Sequence, residues 1–298
     1  MRLFRWSTAF LLLVTLVGCG ANPKSLGRPV VRTPLPPAAL LQHQQLVGEG
    51  DALWAERLDE TKLRGAIAKW SEAVKVKPDD HETYTKLARA CYLLADGFLS
   101  FVDGKVEEFL ATHEQGLGFA EQGLLALSPD FEKRRQGGTE VEDAVMVLGR
   151  EAVPLLYWYD VNLGKWAKFQ GIVTTLKHKD RIFKIMTHVY NLDPDYFHGA
   201  PDRYFGAFYA VAPAFAGGDL EKSHQYFERS VKKAPHYLAT HVLIAENYAP
   251  KVQDRALFER ELKFVLDTPP DSLPDVLAEQ TIEKRKAERL LKQIEEKF

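Results

Sequence analysis

Cysteine is almost absent from this chain: Cys19 and Cys91 are the two among 298 residues. Cys19 stands at the end of an apolar leader and Cys91 falls mid-helix on an apolar face. A bridge between them is not expected, and Cys91 reads as a small buried hydrophobe. A surplus of positive charge is absent too. Formal net charge is -2, and loss of a leader carrying Arg2 and Arg5 takes the chain to -4. Proteins that hold nucleic-acid phosphates need clustered Lys and Arg, whereas here both signs are mixed along helix faces, which argues against nucleic acid. The apolar run Ala9 to Val17 falls well short of the roughly 20 residues a spanning helix needs. Alternating strand-like segments bounded by turn signals are also missing, so the fold class expected is all-α.

Catalytic signatures are missing as well. There is no Gly-x-Ser-x-Gly elbow and no His-Glu-x-x-His zinc pair. His113-Glu114 lacks the second histidine, and His236 and His241 are spaced to point apart on a helix. Gly116, Gly118 and Gly123 lie in a helical stretch with no strand before it, which suits close helix packing better than a phosphate loop. Gly217-Gly218-Asp219 lacks the Gly-Lys-Ser/Thr that a phosphate loop requires and reads as a turn with Asp219 as helix cap. Carboxylate pairs such as Glu107-Glu108 and Glu295-Glu296 fall on polar faces. The expectation is a protein that is not an enzyme, with no metal and no cofactor.

What is present starts with the leader. A basic start, MRLFRW, precedes AFLLLVTLV and then Gly18-Cys19-Gly20, the form of a signal peptide. Leu16-Val17-Gly18-Cys19 resembles the bacterial lipobox. That resemblance implies cleavage between Gly18 and Cys19 and acylation of Cys19 by chains such as palmitate. Two or three chains, at about 0.8 kcal/mol per buried methylene, anchor a protein firmly. Gly20 stands where inner-membrane retention often places Asp, so a periplasmic protein anchored to the outer rather than the inner membrane is expected. Residues 19–39 hold Pro23, Pro29, Pro34, Pro36 and Pro37 with no apolar periodicity. Such a linker favours extended structure with a reach of roughly 50 Å.

Residues 40–298 carry apolar side chains at intervals of three and four. One stripe is Tyr84, Leu87, Ala88, Cys91, Leu94, Ala95 and Phe98; another runs from Val141 to Tyr159, with Pro154 expected to kink it. Ala66, Trp70, Ala73 and Pro78 have the small, bulky, small, proline spacing of a tetratricopeptide second helix, and Ser223, Phe227, Ser230 and Pro235 repeat it. Small residues let two helices approach, the bulky one fills a groove, and proline ends the helix. Intervals between copies are irregular. The architecture expected is a degenerate array of helical hairpins, an α-solenoid, with each pair covering the apolar face of its neighbour.

The second half is more specific. The runs YFHGAPDRYFGAFYAVAPAFAGGDLEKSHQYFERSV, from Tyr196 to Val231, and ENYAPKVQDRALFERELKFVLD, from Glu246 to Asp267, resemble the TatT family, the tetratricopeptide T component of TRAP transporters. The helix around Pro154, Leu155, Leu156, Tyr157 and Trp158 is similar to that family's central helix. The resemblance extends over roughly residues 45 to 298 and is strongest after Val153. It implies a lipid-anchored periplasmic helical protein that associates with the substrate-binding protein of a TRAP system. It further implies a homotrimer with a cleft for a hydrophobic small ligand, transport itself being driven by an ion gradient through separate membrane subunits.

The candidate ligand or partner surface comprises Tyr157, Trp158, Tyr204, Tyr209, Asn247, Tyr248 and Asp254. Tyr157, Trp158 and Tyr159 are consecutive, so at about 100° per residue they cannot all face one core. The rival expectation is a tetratricopeptide scaffold for envelope assembly, whose groove would grip peptides through Asn, Lys and Arg.

Overall fold

The computed structural model describes residues 27–298; Gly18, Cys19 and the leader lie outside them. Among the described residues every regular element is helical. The first half comprises α1 (Pro37–Ala55), α2 (Glu60–Val76), α3 (His81–Gly97), α4 (Val106–Leu127), α5 (Pro129–Gln136), α6 (Val141–Ala144) and α7 (Val153–Phe169). The second comprises α8 (Ile172–Leu192), α9 (Tyr196–Val211), α10 (Leu220–Lys233), α11 (Leu238–Leu243), α12 (Arg255–Asp267), α13 (Leu277–Lys292) and α14 (Ile294–Lys297).

Local chemistry sets where the helices begin. The Asp59 carboxylate accepts from the N–H of Thr61 at 2.7 Å and opens α2. Asp80, Ser128, Asp219 and Asp254 cap α3, α5, α10 and α12 in the same way, each satisfying a backbone donor that the helix cannot. Pro129 and Pro154 sit in the first turns of α5 and α7, where a missing N–H is harmless. This corrects the expected kink. The stripe from Val141 to Tyr159 is α6, two short 3-10 turns and then the start of α7, with Pro154 initiating a helix instead of bending one.

The repeat spacing builds hairpins by seating a ring on a glycine. Ala66, Trp70 and Ala73 are buried on α2, and a Cβ on Gly50 of α1 would approach the Trp70 ring to 2.4 Å. Ser223, Phe227 and Ser230 are buried on α10, and a Cβ on Gly206 of α9 would meet Phe227 at 2.7 Å. The helix glycines of α4 work similarly. A Cβ on Gly116 would come within 2.9 Å of the Cys91 Cβ, and one on Gly123 within 2.8 Å of the Tyr84 Cβ, both on α3.

α7 is the central helix. Leu155, Leu156, Tyr157, Trp158 and Tyr159 are all buried, so its aromatics face different directions and each direction is covered. One core runs from α2 to α9 around α7. A second joins α11, α12 and α13 through residues such as Leu238, Phe258, Leu262 and Leu290. α13 also reaches the first core, where Ile282 lies against Gly97 so closely that a Cβ there would sit 2.6 Å away.

Ahead of α1 the chain is irregular and lies on α4 and α5. The N–H of Arg28 donates to Gln122 at 2.8 Å, that of Val30 to Glu132 at 2.8 Å, and Arg32 pairs with Glu132 at 2.5 Å. Part of the proline-rich segment is therefore laid along the domain, and α1 begins at Pro37, slightly ahead of the expected boundary at residue 40.

Candidate ligand cleft

A cleft of about 700 Å³ opens where the two cores meet, a volume within the usual range for small-molecule sites. Along α7 its lining is Tyr157, Trp158, Val161, Gly164, Lys165 and Lys168, a spacing of three and four that puts them on one face. The wall from α8 and α9 is mostly apolar, with Ile172, Leu176, Ala207, Phe208 and Val211, and carries Lys179 and Arg203 as its charged members. Phe169, Ile172 and Val211 remain partly exposed at the cleft, as do the neighbouring Val173 and Phe215, the latter 83% exposed.

The opposite wall, from α3 and α13, is charged. Asp96 takes Lys165 at 2.5 Å and Lys286 at 2.5 Å, and Lys286 also pairs with Glu283 at 2.7 Å. Burial pushes the Asp96 carboxyl up, but the two ammonium groups outweigh it and hold the pKa well below the usual range. For Glu283 burial wins and raises the pKa. Lys168 faces solvent within the cleft while protein surrounds it; that partial desolvation lowers its pKa against the opposing field of Glu246. Glu246 and Asn247 reach the cleft because the chain widens there into a π turn, Ile244–Tyr248. Farther along, Glu279 is shared by Arg57 at 2.8 Å and Arg89 at 2.5 Å.

α9 starts with a strained turn. Phe197, His198 and Gly199 are successively left-handed, with φ of 44°, 58° and 69°. The two non-glycine residues each cost on the order of 1–3 kcal/mol there. Side chains nearby bind the carbonyls of the turn. The Arg203 guanidinium donates to His198 at 3.1 Å and Phe197 at 3.3 Å, and the Ser230 hydroxyl donates to Gly199 at 3.3 Å. Regular helix resumes at Ala200 and Pro201.

Two polar groups are buried beside the cleft. The Asn162 amide donates to Ala88 at 3.2 Å and Trp158 at 2.7 Å. Its oxygen therefore accepts from His113 Nδ1, 2.9 Å away, and burial holds the His113 pKa down to about 4, leaving the ring neutral. Asp160 is fully buried, with the Tyr204 hydroxyl as its electrostatic neighbour. Burial pushes its pKa well up, so the protonated acid is the form suited to the site.

Of the residues singled out in the sequence, Tyr157, Trp158, Tyr204 and Asn247 line the cleft. Tyr209, Tyr248 and Asp254 do not, because packing and capping occupy them. Tyr209 stacks on Tyr226 with ring centroids 5.6 Å apart, Tyr248 stacks on His224 at 5.8 Å, and Asp254 accepts from the Leu257 N–H at 2.8 Å. Gly217, Gly218 and Asp219 form the turn before α10. Gly217 has φ of 94°, a Cβ on Gly218 would overlap the Ala212 oxygen at 1.8 Å, and Asp219 accepts from the Lys222 N–H at 3.0 Å.

The charged members of the cleft were missed in the sequence. Arg89, Tyr92 and Asp96 form a second row on α3, and Lys165 and Lys168 continue the aromatic row of α7. A charge on such a row is a signal, but it becomes specific only when the partner helices are known.

A comparison with known protein families matches residues 110–298, well over half of the chain, to the TRAP transporter T-component. The matched region contains every cleft wall except that formed by residues 89–109 and begins later than the resemblance from residue 45 suggested. No curated protein matches the chain.

Proposed function

The chain belongs to the TRAP transporter T-component family, and from that premise we propose that it is a non-catalytic accessory lipoprotein of such a transport system. In this reading an acylated Cys19 holds it at the periplasmic face of a membrane, the outer one in preference to the inner. The cleft takes a small apolar ligand, and the surface around its mouth meets a periplasmic substrate-binding protein. The observation that carries the reading is the cleft itself, with aromatic and aliphatic walls and partly exposed apolar side chains such as Phe169 and Ile172 at its edge. Apolar surface left open beside a preformed cleft is characteristic of a site that hands over or receives a ligand. The ion-driven step would belong to other subunits; among the described residues no helix is long and apolar enough to cross a membrane.

Cross-linking of intact envelopes followed by purification of this chain tests the partnership. The expected result is a periplasmic substrate-binding protein in the cross-linked product. Abundant chain with no such partner overturns it. For the anchor, Cys19→Ser should abolish incorporation of labelled palmitate and release the protein from the membrane fraction. The scaffold reading, in which the groove grips peptides, is less well supported because aromatic and aliphatic residues dominate the α7, α8 and α9 faces of the cleft.

A further inference from the structure

We infer that the seam between α3 and α13 is a gate: α11–α14 swings away from the first core there and opens the aromatic end of the cleft to solvent. That a ligand enters by this route rests on the reading of the cleft as a ligand site. The aromatic end is where three rings meet, Phe197 lying 6.1 Å from Tyr157 and 5.8 Å from Tyr237 between centroids. The helical array closes on itself beside them. Arg89 and Glu279, like Asp96 and Lys286, are 190 residues apart in sequence yet in contact across the seam.

Two joints hold α11–α14, and they differ in kind. At the α10–α11 joint the buried hydroxyls of Ser230 and Thr240 lie 3.2 Å apart, Tyr237 packs on Phe197, and the Tyr248 ring lies 6.4 Å from that of Phe227. The α3–α13 seam is mostly polar. Glu279 takes Arg57 and Arg89, Lys286 takes Asp96, and Asp275, just ahead of α13, takes His198 at 3.1 Å. Arg289 donates to the Ser100 carbonyl at 2.8 Å and lies over the Phe101 ring. Among the described residues, Ile282 is the one member of α13 that belongs to the first core. Parting apolar faces exposes them to water, whereas parting ion pairs returns both charges to hydration and recovers what their burial cost. The polar seam is therefore the joint that yields, and the packed α10–α11 joint is the hinge.

The charges at the seam also have partners on their own side. When Lys286 leaves, Asp96 keeps Lys165 of α7 at 2.5 Å, and Lys286 keeps Glu283 of α13 at 2.7 Å. Arg57 lies 4.6 Å from the centre of the Trp54 ring and Arg89 4.9 Å from that of Phe197, ring faces that stay with them. An ordinary interior ion pair leaves an uncompensated charge behind when one partner goes. Here only Glu279 loses its partners, and it passes into water. Arg89, Asp96 and Ser100 on one side, and Glu279, Ile282 and Lys286 on the other, all line the cleft, so a gap at the seam lays the cleft open along that wall.

The test uses the full chain with Cys19→Ser, spin-labelled through Asp103→Cys and Glu288→Cys, exposed positions close in sequence to Ser100 and Arg289. Cys91 is buried and takes no label. Double electron–electron resonance should show a second, longer distance in Lys286→Met, about tenfold more populated than in the parent, the scale of one charge-assisted hydrogen-bonded pair. Lys165→Met removes a contact of the same length to the same carboxylate, but within the first core, and should leave the parent distribution in place. An unchanged distribution in Lys286→Met, or the longer distance in both variants, overturns the gate. Should Lys286→Met lose its helical circular dichroism, Glu279→Gln replaces it with the same expected and contrary outcomes. Stopped-flow mixing with the neutral dye Nile red tests the route. Dye binding should quicken in Lys286→Met by a similar factor, and an unchanged rate overturns entry through the seam. Failure of Nile red to bind the parent at all overturns the underlying reading of the cleft, while the distances still decide the gate.

Discussion

The hairpins α1–α2 and α9–α10 share one construction and differ at one place. In both, a ring from the second helix, Trp70 or Phe227, is seated on a glycine of the first, Gly50 or Gly206. The small residues flanking the ring are alanines on α2, Ala66 and Ala73, and serines on α10, Ser223 and Ser230. The serines have a use for their hydroxyls: Ser223 donates to Gly206 at 2.7 Å and Ser230 to Gly199 at 3.3 Å. The latter carbonyl belongs to the left-handed turn at the aromatic end of the cleft. A regular hairpin closes against its neighbours. A hairpin whose first helix starts with a braced, irregular turn places Phe197 and Arg203 beside the cleft. Regularity makes the fold and the departure from it shapes the site.

The largest effect should come from removing the rings. Trp70→Ala and Phe227→Ala should each lose about 3–5 kcal/mol in urea unfolding. Only Phe227→Ala should also weaken Nile red retention; equal losses of dye in both would break the comparison. Next come the two buried titratable groups, His113 on α4 and Asp160 on α7. His113 is held at about 4 in the folded protein, while an unfolded histidine takes up its proton near 6.5. The stability this gives is therefore complete above about 6.5 and falls by about 3 kcal/mol as pH drops to 4. Asp160 has the opposite sign. Its raised pKa keeps the proton on the folded form while the unfolded chain releases it, so stability is lost as pH rises above the ordinary carboxyl range. Asp160→Asn should gain stability relative to the parent with increasing pH, and His113→Gln should flatten the acid limb. Thermal melts across pH check both, and parallel curves for parent and variant would contradict the assignments.

A smaller loss, about 1–2 kcal/mol, is expected for Ser230→Ala, which removes the hydroxyl that donates to the Gly199 carbonyl. Hydrogen exchange should quicken around residues 197–200 and leave α1 unchanged. Smallest and equal should be Asp59→Ala and Asp219→Ala, each about 1 kcal/mol, since a cap works alike in both hairpins. A cap effect confined to one hairpin would show that the two are not built on the same rules.

The helices and their pairing were readable in the sequence because their causes are local. A stripe such as Tyr84, Leu87 and Cys91, and a bulky residue set between small ones with a proline after them, all act within a few turns. Tyr157 and Trp158 pointed to the cleft for a related reason: consecutive large aromatics exceed what one core face can absorb, whereas Tyr204 stood out only as a tyrosine able to present its hydroxyl to a cavity. Tyr209, singled out on the same ground as Tyr204, and Tyr248, singled out in a polar break between helices, are taken up by rings on α10. The charged wall was unreadable because Asp96, Lys165 and Lys286 come from α3, α7 and α13, and only the tertiary fold makes them neighbours. The docking of residues 27–32 was hidden likewise, since Gln122 and Glu132 lie far along the chain.

That docking changes the mechanics of any tether. For a chain held through an acylated Cys19, residues 28–32 would add no reach to the leash, because they are bound to the domain. Its exit point is fixed by the contacts of Arg28, Val30 and Arg32 with α4 and α5. The flank formed by those helices would then ride toward the lipid, and the ion pair at Glu132 would help to decide which face of the domain is turned to it.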